Sequence, residues 1–291
     1  MAVSRITQRT LTDTALRGLQ SSLGRVQGLQ EELSSGRRIS RPSDDPSGTA
    51  SAMVFRSQRA ANVQYLRNID AASSRLAVID STLMQISERL RSVQALMVQS
   101  RNGGLGQASQ DALATEVEAI KDALVDTYNT RYLDRPIFGG TIDEIIAVDA
   151  STNAYLGNDE PITARISRDA VVRVDLPGTA AGADVVPDLM DRISAAMRSG
   201  GVTATEFDDM DAVFSTVMES IGDVGARAER INITRTAVDS QRLDLTTWIS
   251  EYEDVDLPET IMNLQAQQVA YQAALGAAAK VTQTSLADFL K

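Results

Sequence analysis

Four carboxylates fall within six residues in Glu251-Tyr252-Glu253-Asp254-Val255-Asp256, just ahead of Leu257-Pro258. A run of this kind could bind a cation, but it lacks the glycine turn and the ligand spacing of an EF-hand loop. The simpler expectation is an acidic helix start favoured by the helix macrodipole. Asp44-Asp45 and Asp208-Asp209 are paired only along the chain. Adjacent helical positions point apart, so neither spacing makes an acid–base dyad, and both pairs read as helix caps. Gly103-Gly104-Leu105-Gly106 follows a helical pattern rather than a strand, which argues against a phosphate loop. Arg37, Arg38 and Arg41 could hold an anion. Contact with a partner, or bridging to the acidic run, is the stronger expectation, because both segments are short links near one end of a chain that folds back. There is no Cys and no His, which removes thiolate nucleophiles, imidazole bases, disulfides and most zinc sites. No enzymatic activity, metal or cofactor is expected.

What surrounds these links is helix. From Ile69 the apolar pairs Ile69/Ala72, Leu76/Ile79, Leu83/Ile86, Leu90/Val93 and Met97/Ser100 keep a seven-residue step. A second seam runs Met210/Phe214, Val217/Ile221, Val224/Ala228, Ile231, Val238, Leu245/Ile249. Apolar residues at 3–4 spacing over so many turns mark helices that wrap other helices. Two seams separated by a different middle predict a chain that goes out and comes back. The fold class expected is mostly α: a long antiparallel helical bundle or coiled-coil rod built from both chain ends, with a small β-rich middle domain. The core positions of that rod are Ile69, Leu76, Ile79, Leu83, Ile86, Leu90, Val93, Val217, Ile221, Val224 and Ile231.

The pattern divides further. Residues 3–35 read as helix, with Gly18, Gly24 and Gly28 inside it. Each glycine weakens an isolated helix by roughly 1 kcal/mol relative to Ala, so this segment should order only by packing. A link at 36–48 follows, with Ser43 or Asp44 as the N-cap of the next helix and Pro46 in its first turn. That helix should run to about 101, stopped by Asn102-Gly103-Gly104, and a third, preceded by Gln107 or Ser109, should carry Leu113, Val117, Ile120, Leu124 and Tyr128 on one face. Beyond Pro136, Ile162/Ala164/Ile166 and Val172/Val174/Leu176 alternate with polar residues, the period of half-buried strands. Pro187 to about Arg198 reads as a short helix. A long helix then runs from about Thr205, with Thr205 and Asp208 resembling a capping box, to Glu251.

Composition agrees with an elongated assembly component. Of 291 residues 43% are hydrophobic but only 4% aromatic, low for a compact enzyme with a deep pocket and ordinary for coiled coils. The net charge of −11 disfavours nucleic-acid binding. Residues 1–60 hold nine Arg against five Asp/Glu, a balance of +4, which leaves −15 for the remainder. No stretch approaches a membrane span, and the N-terminus lacks the apolar core of a cleavable signal peptide. The last helix, about 258–290, pairs Ile261, Leu264, Tyr271, Leu275, Ala278 and Phe289 with a face of Gln and Ala. A solvated helix of this length would carry many Lys and Glu. Small residues and neutral amides suit close packing against other subunits.

Leu33-Ser34-Ser35-Gly36-Arg37-Arg38-Ile39, then Pro42-Ser43-Asp44-Asp45-Pro46, resembles the N-terminal region of the flagellin family. Ile261-Met262-Asn263-Leu264-Gln265-Ala266-Gln267-Gln268, continuing through Tyr271-Gln272-Ala273-Ala274-Leu275 to Ser285-Leu286, resembles its C-terminal region. The likeness covers roughly 1–139 and 205–291. Three features resemble the member of that family that joins hook to filament rather than the filament subunit: Pro42 with Asp44-Asp45-Pro46-Ser47, the segment Arg135-Pro136-Ile137-Phe138-Gly139-Gly140, and the ending Ser285-Leu286-Ala287-Asp288-Phe289-Leu290. The resemblance implies a secreted, extracellular structural subunit of the bacterial flagellum at the hook–filament junction, exported by the type III apparatus. Its implied partners are like subunits, the adjacent hook-side junction protein and flagellin, with an export chaperone near the C-terminus. It implies a terminal polymerisation helix and link at 1–44, rod halves at 45–139 and 205–257, an insert at 140–204, and a second polymerisation helix at 258–291. The implied assembly interface is Leu16, Leu19, Leu23, Val26, Leu33, Ile261, Leu264, Gln268, Tyr271, Leu275, Leu286 and Phe289. The alternatives are a flagellin of the filament itself and a surface adhesin using the β insert.

Overall fold

Two compact units make up the chain, one from Met1–Ala60 with Arg242–Lys291 and the other from Ala61–Gln241. The computed structural model describes residues 8–101, 106–142 and 146–289, with 280–289 described as helical backbone. Six helices are present among the described residues: α1 (Gln8–Ser35), α2 (Pro46–Ser100), α3 (Gln107–Tyr128), α4 (Val186–Ser199), α5 (Ala204–Glu253) and α6 (Leu257–Phe289). The strands are short: β1 (Arg131–Tyr132) pairs antiparallel with β2 (Arg135–Pro136), and β3 (Thr163–Arg165) with β4 (Val171–Arg173). The fold is mostly α, with long helices at both ends of the chain. No helix among the described residues is long and apolar enough to cross a membrane.

The unit 61–241 is organised by the first seam. Every residue of it from Ile69 to Ser100 is buried. Because the step is seven residues, the same stripe returns to the same side every two turns and stays against its neighbours. On α5, Met210, Val217, Val224 and Ile231 are buried and Phe214 and Ile221 are partly buried against the same core. Ala228 departs from the expected seam and is exposed. One cluster joins Leu83 and Leu90 to Val117, Leu124, Phe138, Ile166, Leu176 and Ile193. The middle segment therefore shares a core with the helices.

That segment contains less strand than its alternation implies. β3 and β4 pair Thr163↔Arg173, Ala164↔Val172 and Arg165↔Val171. One further bond continues the ladder, from Val174 N–H to the Ile162 carbonyl at 2.8 Å. The next donor, Ile162 N–H, meets the Asp175 carboxylate at 2.8 Å instead of a backbone oxygen. Asp175 is fully buried and also accepts two bonds from Arg173, at 2.9 Å each. These bonds are the largest cause of the raised Arg173 pKa. The β1–β2 hairpin is absent from the period-2 reading because each strand has two residues. Its turn, Leu133-Asp134, has φ of 50° and 62°, the sign pattern of a two-residue I′ turn.

Tyr128, at the end of α3, anchors the junction of helix and insert. Its ring lies edge-on to Phe138 with centroids 6.0 Å apart, and its hydroxyl donates to the Ala181 carbonyl at 2.9 Å. Burial pushes its pKa upward, so the phenol stays a donor. Tyr155 performs a similar role: its hydroxyl donates to Phe138 O at 2.8 Å and accepts from Gly178 N–H at 3.0 Å. A Cβ on Gly178 would lie 2.3 Å from the Tyr155 ring, so only glycine fits. The amphipathic α4 packs on α3, where Lys121 meets Asp191 at 2.8 Å and Arg198 forms a two-point pair with Glu118.

The other unit pairs α1 with α6. They are antiparallel: Val255 N–H donates to Gly36 O at 3.1 Å, while further along Gln267 Nε2 donates to Ser22 Oγ at 2.7 Å. Gly36, at φ 70°, ends α1 by returning its N–H to Glu32 O at 2.8 Å. The adjoining turns of α2 and α5 add an aromatic group, with Phe55 5.5 Å from Trp248 and 5.8 Å from Tyr252.

Several helix starts differ from the sequence expectation. Asp45, not Ser43 or Asp44, caps α2, accepting from Gly48 N–H at 2.8 Å and from Ser47 Oγ at 2.9 Å. Asp44 instead closes the preceding turn, accepting from Ser40 and Arg41 N–H at 3.1 and 2.7 Å. The caps lie one residue apart because Pro46, lacking an N–H, takes the first helical position itself. α3 begins after Gly106 with no side-chain cap, so neither Gln107 nor Ser109 serves. The capping box of α5 is Thr203 with Glu206, whose carboxylate accepts from Thr203 N–H at 2.9 Å and from its hydroxyl. Thr205 and Asp208 lie inside the helix, two residues too late. The proposed stop at 102–104 and residues 3–7 of the first helix lie outside the described residues.

Candidate assembly interface

The chemistry-bearing links are consumed by the fold. Arg38 N–H donates to Glu253 O at 2.7 Å, and its guanidinium donates to Tyr252 O at 2.7 Å. Arg37 and Asp254 form an isolated antiparallel bridge. The basic link and the acidic run therefore meet largely through backbone, with Arg38 also 3.6 Å from Asp45. Arg41 turns to Glu31 at 3.5 Å. In the acidic run, Glu253 is buried and paired with Arg56, Asp254 accepts from Ser250, and Asp256 accepts from Glu259 N–H at 3.2 Å at the start of α6. Glu253 and Asp254 close one helix and Asp256 begins another. Among the described residues no group of three or more Asp or Glu is arranged to hold a metal ion.

What remains open is apolar surface on the terminal helices. On α1, Leu16 and Leu23 are exposed, Leu19 and Leu33 are half-buried, and Val26 is buried. On α6, Ile261, Gln268 and Leu275 are exposed, and Leu264 and Tyr271 are half-buried. The side chains of Leu286 and Phe289 lie outside the described residues. Two positions outside the implied interface are more open than its apolar members: Met262 is 64% and Val269 66% exposed. They are seven residues apart, hence on one face, and that spacing was visible in the chain. Leu257, Met53 and Val54 add further exposed apolar side chains in the same unit. Apolar exposure of this density makes these helices the candidate interaction face. The rod-core positions lie elsewhere, inside the unit 61–241, all buried except the partly buried Ile221.

Long helices from both chain ends, with an intervening segment built onto the helical core, define a predominantly helical protein. Models of the bacterial flagellin N-terminal and C-terminal helical regions match residues 6–135 and 208–290, and the chain belongs to the flagellin family. It is 29% identical over 163 residues to flagellar hook-associated protein 3 of Salmonella typhimurium, a match covering 56% of this chain and 51% of that one, about half the length of that relative. It is 25% identical over 288 residues to flagellar hook-associated protein 3 of Escherichia coli, covering 89% of this chain and 90% of that one. The solved structure of Bacillus cereus FlgL superposes with a TM-score of 0.61 at 18% identity, covering 68% of this chain and 99% of that one, and shares its fold.

Proposed function

We propose that this protein is a non-enzymatic structural subunit of the bacterial flagellum that joins hook to filament. It acts outside the cell after type III export, with a chaperone covering the C-terminal helix until assembly. The observation that carries this reading is the open apolar face of α1 and α6, with Leu16, Leu23, Ile261, Met262, Val269 and Leu275 all exposed in the single chain. Burying a large aliphatic side chain contributes about 1.5–3 kcal/mol, so covering even part of this face by like subunits, the hook-side junction protein and flagellin supplies ample assembly free energy. The hook-associated names of the relatives support the junction position. The links that could have supported catalysis are instead occupied by caps and ion pairs.

Position and copy number test the proposal. Labelled protein is expected in a short layer at the hook–filament boundary; labelling along the whole filament would make it a flagellin. Removing residues 258–291 is expected to leave the unit 61–241 folded by circular dichroism while filament attachment is lost. A truncated chain that restores attachment would refute assembly through α6.

A further inference from the structure

On α6 one stripe turns inward. Thr260 is buried, and Leu264, Gln267, Tyr271 and Ala274 are half-buried. Their alternating steps of four and three are those of a helix packed along another, and Gln267 in this stripe donates to Ser22 of α1. Met262 lies two residues from both Thr260 and Leu264, about 200° from each around the helix. Its thioether therefore stands on the side away from α1, with Val269 seven residues further along the same side.

The chain has nine Met and no Cys, so thioethers are its only sulfur groups. Met97, Met190, Met197 and Met210 are fully buried inside the unit 61–241. Met262 and Met53 are the most open of the described methionines, and both belong to the unit built from the chain ends. Oxidants convert exposed thioethers and are kept from those sealed in a core. Methionine at an open apolar position also adapts to partners of different shape, which suits a face that meets more than one kind of neighbour.

We propose that Met262 is an oxidation site at which hydrogen peroxide stops the free chain from joining the flagellum. The inference rests on the assembly reading above and names a regulation of that same face. The thioether sulfur attacks one peroxide oxygen; the O–O bond breaks and an S–O bond forms. Sulfur loses two electrons and the peroxide gains them. The released hydroxide takes the proton of the new S–OH group and leaves as water. In the free chain water solvates the resulting sulfoxide, and the α1–α6 contact is on the other side of the helix, so the fold is unaffected. In the assembled state the same polar group is buried among aliphatic side chains, which is unfavourable without a donor. Methionine sulfoxide reductases return the thioether, so the block is reversible.

The full chain, treated with hydrogen peroxide and mapped by peptide mass spectrometry, is supplied to cells that lack it. Met262 is expected to carry the sulfoxide while Met97, Met190, Met197 and Met210 do not. The treated chain is expected to keep its circular dichroism spectrum and Tm yet restore roughly tenfold fewer filaments, the effect of one unpartnered polar group in an interface. Treatment with methionine sulfoxide reductases is expected to recover the count. Met262→Leu conserves apolar volume and is expected to assemble equally with and without peroxide, whereas Met84→Leu stays as sensitive as the wild type. Met262 left unoxidised, equal filament numbers from oxidised and untreated wild type, or a Met262→Leu chain that peroxide still disables overturns the proposal. An untreated wild-type chain that never enters flagella overturns the assembly reading instead.

Discussion

Leu83→Ala tests the seam at its centre. Leu83 is fully buried, and so are Ile79 and Ile86 on either side of it along the stripe. These neighbours are fixed by the backbone of the same helix, α2, which limits how far the site can collapse around the lost methyl groups. The expected loss is about 3–4 kcal/mol, the transfer term plus the residual cavity. For a unit of this size that corresponds to a Tm lower by roughly 6–15 °C. The control is Met84→Ala, one residue along and 52% exposed, expected within about 0.5 kcal/mol of wild type. Urea and thermal unfolding followed by far-UV circular dichroism measure both. The only Trp, Trp248, lies in the other compact unit, so its fluorescence follows that unit and separates the two transitions. Equal losses for the two variants, or a larger one for Met84→Ala, would refute the register and with it the seven-residue argument.

Other positions yield sharper local expectations. Tyr128→Phe removes the donor to the Ala181 carbonyl and should lower stability by about 1–3 kcal/mol, because that buried acceptor is left unpaired; chemical denaturation measures it. Asp175→Ala strands Arg173 and the Ile162 N–H and should cost about 3 kcal/mol, the low end for a buried pair because Arg173 keeps some solvent contact. Thr203→Ala, by opening the α5 capping box, should cost about 1 kcal/mol in the same assay. The Asp45 carboxyl is held below the ordinary aspartate range, first by the Gly48 N–H and then by Ser47. A lowered folded pKa contributes stability that is complete above the unfolded value near 4 and is lost as pH falls through the folded one. Asp45→Asn should therefore flatten the acid limb of the stability–pH curve below about pH 4, and an unchanged limb would show that the cap carries no charge dependence.

The chain's own pattern determined the helices, the buried stripe and the kind of surface its ends would present. Ile69 through Ser100 repeat every seven residues, and a repeat of that length can be satisfied only by a helix with a permanent neighbour. The scarcity of Lys and Glu after residue 259 likewise signalled a helix whose surface is nearly uncharged. Tertiary structure alone decided the rest. A cap depends on which N–H groups a fold leaves free, so Asp45 and Thr203 replaced better-looking neighbours by one or two positions. The β1–β2 hairpin is too short to have a period. Asp175 reads as an ordinary polar residue until Arg173 and Ile162 surround it. Ala228 fits the stripe by spacing, yet it is exposed between the buried Val224 and Ile231. Periodicity reports what one element needs over many residues; single contacts depend on which distant segments arrive beside it, and that is settled only when the chain closes on itself.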